Sequence, residues 1–343
     1  MTPLQRLFDP RGAFEHPLTA VIVIAGAAVI ALGFILPLAL RRFGVIGPEL
    51  ATEIRVRTRS WVVLGLLIGI ATVMGGAWWM LGLFVLAAFA YVEFARATGL
   101  FRDPAVAWVP LIGLAALAFA CVDHWWEMFS AVVVLTPVLI TAVALVEDQP
   151  QGYLQRVSLA VFGFALVIVG LAHWAWIAND ADYRPIVLLG VVAVQLNDVF
   201  AFCCGKAFGR RKLCPGTSPG KTRAGAIGAL VLTTLLVTAA GRLYLGADSF
   251  ATHRVHVVVL GLLLSAAGQM GDLVLSSVKR DVGVKDMGVT IPGHGGLLDR
   301  FDSLLLAGPV LVYFLRYFRG LGYDQPEGWL SHPVHMWLLG GLP

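Results

Sequence analysis

Long apolar blocks recur along this chain, at residues 20–40, 61–74, 77–95, 106–122, 127–146, 157–177, 186–205, 224–240, 255–278 and 301–317. A bilayer core about 30 Å thick is crossed by roughly 20 apolar residues in a helix, with about 17 near the lower limit. A segment surrounded by lipid must satisfy its backbone hydrogen bonds within itself, so these blocks predict helices and not open strands. The expectation is an all-α, polytopic integral membrane protein with about nine or ten transmembrane helices. The number turns on Gly75-Gly76, which alone separates the short block 61–74 from the next, so that the two are either separate helices or one broken helix. Composition agrees: 58% of the 343 residues are hydrophobic and 13% charged, against roughly a quarter charged in soluble domains. Residues 1–19 lack a compact basic stretch followed by a small-residue cleavage site, and block 20–40 is too long for a signal segment. It reads as a retained helix.

The net charge of +4 does not point to nucleic acid, because the basic residues are placed by side of the membrane. With ten spans, only Arg6, Arg11, Arg184, Arg242, Arg254, Arg316 and Arg319 fall on the outer side, which leaves 18 of the 25 Lys and Arg residues on the inner one. Basic residues gather on the cytoplasmic side of membrane proteins, so the expected location is the cell (inner) membrane, with the polar loops in the cytoplasm. Cys121, Cys203, Cys204 and Cys214 show no zinc spacing and read by default as small buried hydrophobes. With no repeat or long hydrophilic stretch, residues 1–343 read as a single membrane domain, in which helices of 1–185 precede a catalytic region at 186–320.

Two connections differ from the rest in being dense in Gly, Lys and Arg: 206–223 (KAFGRRKLCPGTSPGKTR) and 279–300 (KRDVGVKDMGVTIPGHGGLLDR). Asp198 and Asp272 lie inside predicted helices, with no basic residue one turn away. Ionisable groups at membrane depth are costly and mark a site or a pathway. Asp299 and Asp302 flank Arg300 where the last helix begins. Carboxylates from separate helices near many lysines suit Mg²⁺ held jointly with substrate phosphates; the bland alternatives are a helix-to-helix hydrogen bond, a proton relay or a helix cap. Gly283, Gly288, Gly293, Gly295 and Gly296 surround His294, and a backbone rich in glycine can bring its N–H groups close to a polyphosphate. Lys221, Lys279, Arg280 and Lys285 are available to the same anion. Ordinary loop flexibility explains the same glycines, and His294 reads as a phosphate donor, a proton shuttle or a turn former.

Residues 276–302, SSVKRDVGVKDMGVTIPGHGGLLDRFD, resemble the signature of the phosphatidate cytidylyltransferase (CDP-diacylglycerol synthase) family. Ser276, Lys279, Arg280, Lys285, Asp286, Gly288, Pro292, His294, Gly295, Gly296, Asp299, Arg300 and Asp302 fall in register with it. The likeness extends to Asp198, SPGKT at 218–222 and GQMGDL at 268–273. The resemblance implies cytidylyl transfer from CTP to phosphatidic acid, giving CDP-diacylglycerol and pyrophosphate, assisted by Mg²⁺ and by a second cation such as K⁺. It implies Asp198, Asp272, Asp299, Lys279 and His294 as catalytic residues. Asp272, Asp299, Asp198 and Asp302 would serve as metal ligands. Ser218, Lys221, Thr222, Lys279, Arg280, Lys285, His294, Gly295, Gly296 and Arg300 would contact substrate. A homodimer embedded among membrane lipids is implied as well. Two positions depart from the family pattern: Arg223-Ala224 stand where a Trp-Glu pair is usual, and Leu275 where a Glu is usual. The competing readings are a CTP-dependent polyprenol or phytol kinase-like enzyme, an ion-coupled transporter, and a catalytically silent homologue.

The charge asymmetry predicts that, in a background lacking the native cysteines, Arg211→Cys and Lys285→Cys react with membrane-impermeant thiol reagents only when the cytoplasmic face is open. Labelling of either from outside intact cells overturns that orientation.

Overall fold

The computed structural model describes residues 7–42, 47–146, 148–288, 295–322, 328 and 330–331. They form ten long helices and one small hairpin: α1 (Pro17–Arg42), α2 (Pro48–Met74), α3 (Gly76–Ala97), α4 (Pro104–Asp123), α5 (Trp126–Val146), α6 (Tyr153–Asn179), α7 (Tyr183–Phe208), β1 (Lys212–Cys214), β2 (Ser218–Thr222), α8 (Arg223–Leu245), α9 (Ala247–Asp281) and α10 (Leu298–Arg319). Nine of the helices are long and apolar enough to cross a membrane, and α2 carries only a shorter apolar run, Gly65–Met74. The protein is thus an all-α polytopic membrane protein. Valines and leucines such as Val134, Leu135 and Val138 on α5 stay exposed, as lipid-facing side chains should.

The chain divides into two compact units, Met1–Trp79 and Met80–Pro343. In the first, Gly75 ends α2 with φ of 125°, and a side chain there would run into the Leu7 carbonyl oxygen. Only glycine meets both conditions at little cost. The Gly75-Gly76 pair is therefore a junction between two separate helices.

In the second unit, α8 packs on α7 and α9, and α9 packs on α10. Lipid supplies no hydrophobic drive between helices, so close contact through small residues and polar side chains carries the association. On α9, Gly268 faces Val194 and Ser303, and a Cβ on Gly271 would sit 2.5 Å from the Asp302 carbonyl oxygen. The two glycines let α9 lie against the first turns of α10. A buried polar layer ties α7, α8 and α9 together: Asn197 Oδ1 accepts from Thr233 Oγ1 at 3.1 Å and from Ser265 Oγ at 2.6 Å. Gln269 Nε2 adds bonds to Ser265 Oγ and the Ala226 carbonyl, both 3.2 Å. On α6 a π-helical turn, Phe164–Val169, precedes Trp174, whose Nε1 donates to the Leu304 carbonyl of α10 at 2.9 Å.

The far end of α10 is latched independently. Arg319 donates to Asp180 (2.8 Å) and Asp182 (3.0 Å). The Arg316 guanidinium lies 4.1 Å from the Trp126 ring centroid and donates to the Leu321 carbonyl at 3.3 Å. Such stacked cations are worth more when desolvated, and Arg316 is buried.

Two expectations change. Connection 206–223 is not a plain loop: α7 runs to Phe208, and β1 pairs antiparallel with β2 in the register Lys212↔Thr222 and Cys214↔Ser218. Of the cysteines, only Cys121 is fully buried, and Cys203 is exposed.

Overpacking a close helix crossing costs about 1–3 kcal/mol. Gly271→Ala should therefore lower the melting temperature in detergent, whereas Gly82→Ala, which meets nothing within 4 Å, should leave it unchanged or raise it slightly.

Candidate active site

Three carboxylates arrive from three helices: Asp198 in the C-terminal half of α7, Asp272 on α9 and Asp302 in the first turns of α10. Ser303 joins two of them, since its Oγ donates to Asp198 Oδ2 at 2.8 Å and approaches Asp302 Oδ1 at 3.3 Å. The Ser303 backbone N–H also donates to Asp302 Oδ1, at 2.7 Å. Asp272 Oδ1 accepts from Ser276 Oγ at 3.1 Å, one turn along the same helix. All three acids are half-buried and close enough to feel one another's charge.

The cations near them are tied down singly. Lys221, on β2, forms an ion pair with Asp272. Lys279, two turns along α9, pairs with Asp299 Oδ1 at 2.8 Å. Among the described residues no cation forms an ion pair with Asp198 or Asp302.

Asp299 does a different job from its neighbours. Its Oδ2 accepts from the backbone N–H of Met287 (2.8 Å) and of Gly296 (3.1 Å), so one carboxylate holds two separated stretches of the 279–300 connection as well as Lys279. Beside it, Glu93 of α3 accepts from the N–H of Leu297 at 3.0 Å and of Leu298 at 2.8 Å.

A model of the cytidylyltransferase family matches residues 55–318. The chain belongs to that family. Among its relatives, the uncharacterized protein YnbB of Escherichia coli (strain K12) is 34% identical over 77% of this chain and 88% of its own length. The phosphatidate cytidylyltransferase of Bacillus subtilis (strain 168) is 40% identical over 37% of this chain and 46% of its own. That of Staphylococcus aureus (strain COL) is 39% identical over 44% and 56%. The chain thus spans about half the length of the phosphatidate cytidylyltransferases it matches and most of YnbB. The resemblance read from residues 276–302 holds, and with it the assignment to the nucleotidyltransferases.

In this cytidylyltransferase the structure gathers Asp198, Asp272, Asp302, Lys221, Lys279 and Asp299 at one end of α7, α9 and α10. Arg280 stands at the rim, exposed, with Nε donating to the Thr217 carbonyl at 3.3 Å. Lys285 and Arg300 are exposed, and Ser218 is half-buried on β2. Thr222 is turned inward: its hydroxyl caps α8 by accepting from Gly225 N at 3.1 Å. Gly295 takes φ of 83°, and Gly296 is buried against Glu93 and Asp299. His294 lies outside the described residues. Leu275, which stands where the family pattern has an acid, is wholly buried and fills a packed position. Glu93 escaped the sequence reading, although an acid inside block 77–95 carries the same signal that singled out Asp198 and Asp272.

A family of this kind implies Mg²⁺. Three half-buried carboxylates with one paired lysine leave negative charge uncompensated, which is the donor chemistry of a hard cation. Among the described residues no three His, Cys, Asp or Glu side chains close into a metal-ligand cluster. The fit rests on the donor chemistry of Asp198, Asp272 and Asp302, oxygen ligands of the kind that Mg²⁺ takes together with phosphate oxygens and water.

Ser303→Ala removes the hydroxyl that orients Asp198 and Asp302. Losses of groups that orient ligands typically cost about 10–100-fold in metal affinity or activity, so a Mg²⁺ titration of CTP turnover should show a higher half-saturating Mg²⁺ and a rate reduced by about that factor.

Proposed function

We propose that this protein is a phosphatidate cytidylyltransferase that makes CDP-diacylglycerol from CTP and phosphatidic acid at the cytoplasmic face of the cell membrane. The carrying observation is the meeting of Asp198, Asp272 and Asp302 beside Lys221 and Lys279, at the end of the bundle where the basic hairpin stands. Acids and bases at one membrane edge suit two anionic partners, a nucleotide above and a lipid phosphate from the side.

In the reaction, a phosphate oxygen of phosphatidic acid attacks the α-phosphorus of CTP. The bond from that phosphorus to the bridging oxygen of the β-phosphate breaks, and pyrophosphate leaves with the bonding pair. The lipid phosphate is itself the nucleophile, so no covalent enzyme intermediate is needed, and catalysis rests on positioning and charge stabilisation. Asp198, Asp272 and Asp302 would hold Mg²⁺, which when bound neutralises charge on the nucleotide phosphates and the leaving pyrophosphate. Asp299, a further metal ligand by the family resemblance, also engages Lys279 and the backbone N–H groups of Met287 and Gly296. Lys221 and Lys279 each keep N–H donors beyond the one on Asp272 or Asp299 and would donate these to phosphate oxygens. Arg280, Lys285 and Ser218 at the rim contact the outer phosphates, with His294, Gly295 and Gly296 as further donors. Basic residues crowded at this end support its cytoplasmic orientation, and a homodimer among membrane lipids is the expected assembly.

Purified protein with Mg²⁺, phosphatidic acid and CTP labelled at either the α or the γ phosphorus tests the reaction. The α label should enter the lipid and the γ label should leave as pyrophosphate. Transfer of the γ label to a lipid alcohol would establish a kinase instead, and CTP binding without turnover on any acceptor would establish a silent homologue.

A further inference from the structure

Glu93 sits on α3, far in sequence from the signature residues, is buried at 7% exposure, and spends its carboxylate on the start of α10. Oε1 accepts from Leu297 N and Oε2 from Leu298 N. The first N–H groups of a helix have no partner inside it, and they are usually met by a local Ser, Thr, Asp or Asn. Here the residue at that position is Leu297, with no side-chain hydrogen bond to offer. Asp299, in the first turn, is already committed to Met287, Gly296 and Lys279.

The crowding around Glu93 is specific. A Cβ on Gly288 would lie 2.6 Å from Glu93 Oε1, and one on Gly296 would lie 2.8 Å from Glu93 Oε2, 2.7 Å from Gly288 N and 3.0 Å from Asp299 Oδ2. Two bare backbone segments thus meet between two carboxylates, one from α3 and one from α10. A neutral cap from a neighbouring residue would satisfy the same N–H groups. A buried charge brought from another helix does more, because it fixes where α10 begins relative to α3.

We propose that Glu93 is a positioning residue for the nucleotide site. By holding Leu297 and Leu298 it sets the start of α10, and hence the placement of Asp299 on the 279–300 connection and of Asp302 beside Asp198 and Asp272. The inference rests on the CTP-dependent function proposed above, and it adds a residue of the N-terminal half to a site otherwise built from residues 198–303. Through its bonds to Leu297 and Leu298, Glu93 acts by way of the helix it holds.

Glu93→Gln keeps the size of the side chain and one acceptor oxygen, and turns an amide NH₂ toward the other N–H. Removing a charged acceptor from a buried donor shifts the equilibrium it governs by about one to two orders of magnitude. In the full-length protein without substrate, hydrogen exchange at the Leu297 and Leu298 amides should accelerate about tenfold or more, while exchange along α7 and α8 stays at the wild-type rate. Binding of CTP in the presence of Mg²⁺ should weaken about 10–100-fold. The KM for phosphatidic acid should remain within about twofold. Glu93→Ala, which removes both acceptors, should show the larger change if it reaches the membrane folded; Glu93→Gln alone suffices if it does not. Wild-type exchange at the two amides, or wild-type CTP affinity in a folded Glu93→Gln protein, overturns the inference. So does a general acceleration of exchange throughout the bundle, which would mark Glu93 as a stability residue only. A wild-type protein that binds no CTP would sink the functional reading and this inference with it, whereas CTP binding that Glu93→Gln leaves untouched sinks the inference alone.

Discussion

Like charges held together at the edge of a membrane repel one another and lose hydration at the same time. The group Asp198, Asp272 and Asp302 imposes both costs on this fold. Much of the nearby structure answers that constraint. Ser303 and Ser276 supply hydroxyl donors, and Lys221 arrives from outside the helical bundle on a strand. Gly268 and Gly271 let α9 close on α10 so that the donors reach. Ser303 and Lys221 each reach an acid on an element other than their own, while Ser276 serves Asp272 on its own helix. The charge group therefore exists only in the assembled bundle and is taken apart when any one helix withdraws.

Lipid made the architecture legible. Because a membrane forces each span to satisfy its own backbone, apolar blocks translate almost directly into helices, and nine of ten did so. The exception, α2, carries its charges and its apolar run in one continuous helix, which block-reading divided at residue 61. The acids of the site were legible for the opposite reason: Asp198 and Asp272 stand out because nothing near them in sequence explains them. Glu93 stands out in the same way, and its partners lie 204 and 205 residues away, a separation that no local pattern reveals. The hairpin was hidden by composition, since Gly, Pro and Lys signal a loop, while two short strands form because Thr222 turns inward to cap α8 and draws the chain back beside Lys212. Local sequence also could not show that Asp299 would face the backbone of Met287, twelve residues away.

The departures from the family pattern look different once placed. An acid at position 275 would have to be accommodated in a wholly buried setting, so the leucine is part of how α9 packs. Arg223 opens α8 on its exposed side, with its N–H on the Arg211 carbonyl. A cation at a helix start is mildly unfavourable, and its exposure leaves it solvated. The hairpin region consequently carries more positive charge than the usual pattern, next to the acids and not among them.

α10 is fastened at both ends. Glu93 grips its first residues, and Arg319 and Arg316 secure its last turn to Asp180, Asp182 and Trp126. A rod held at both ends cannot slide along its own axis, nor can it tip without breaking one set of fastenings. The two acids it carries, Asp299 and Asp302, are therefore held at one height in the bundle.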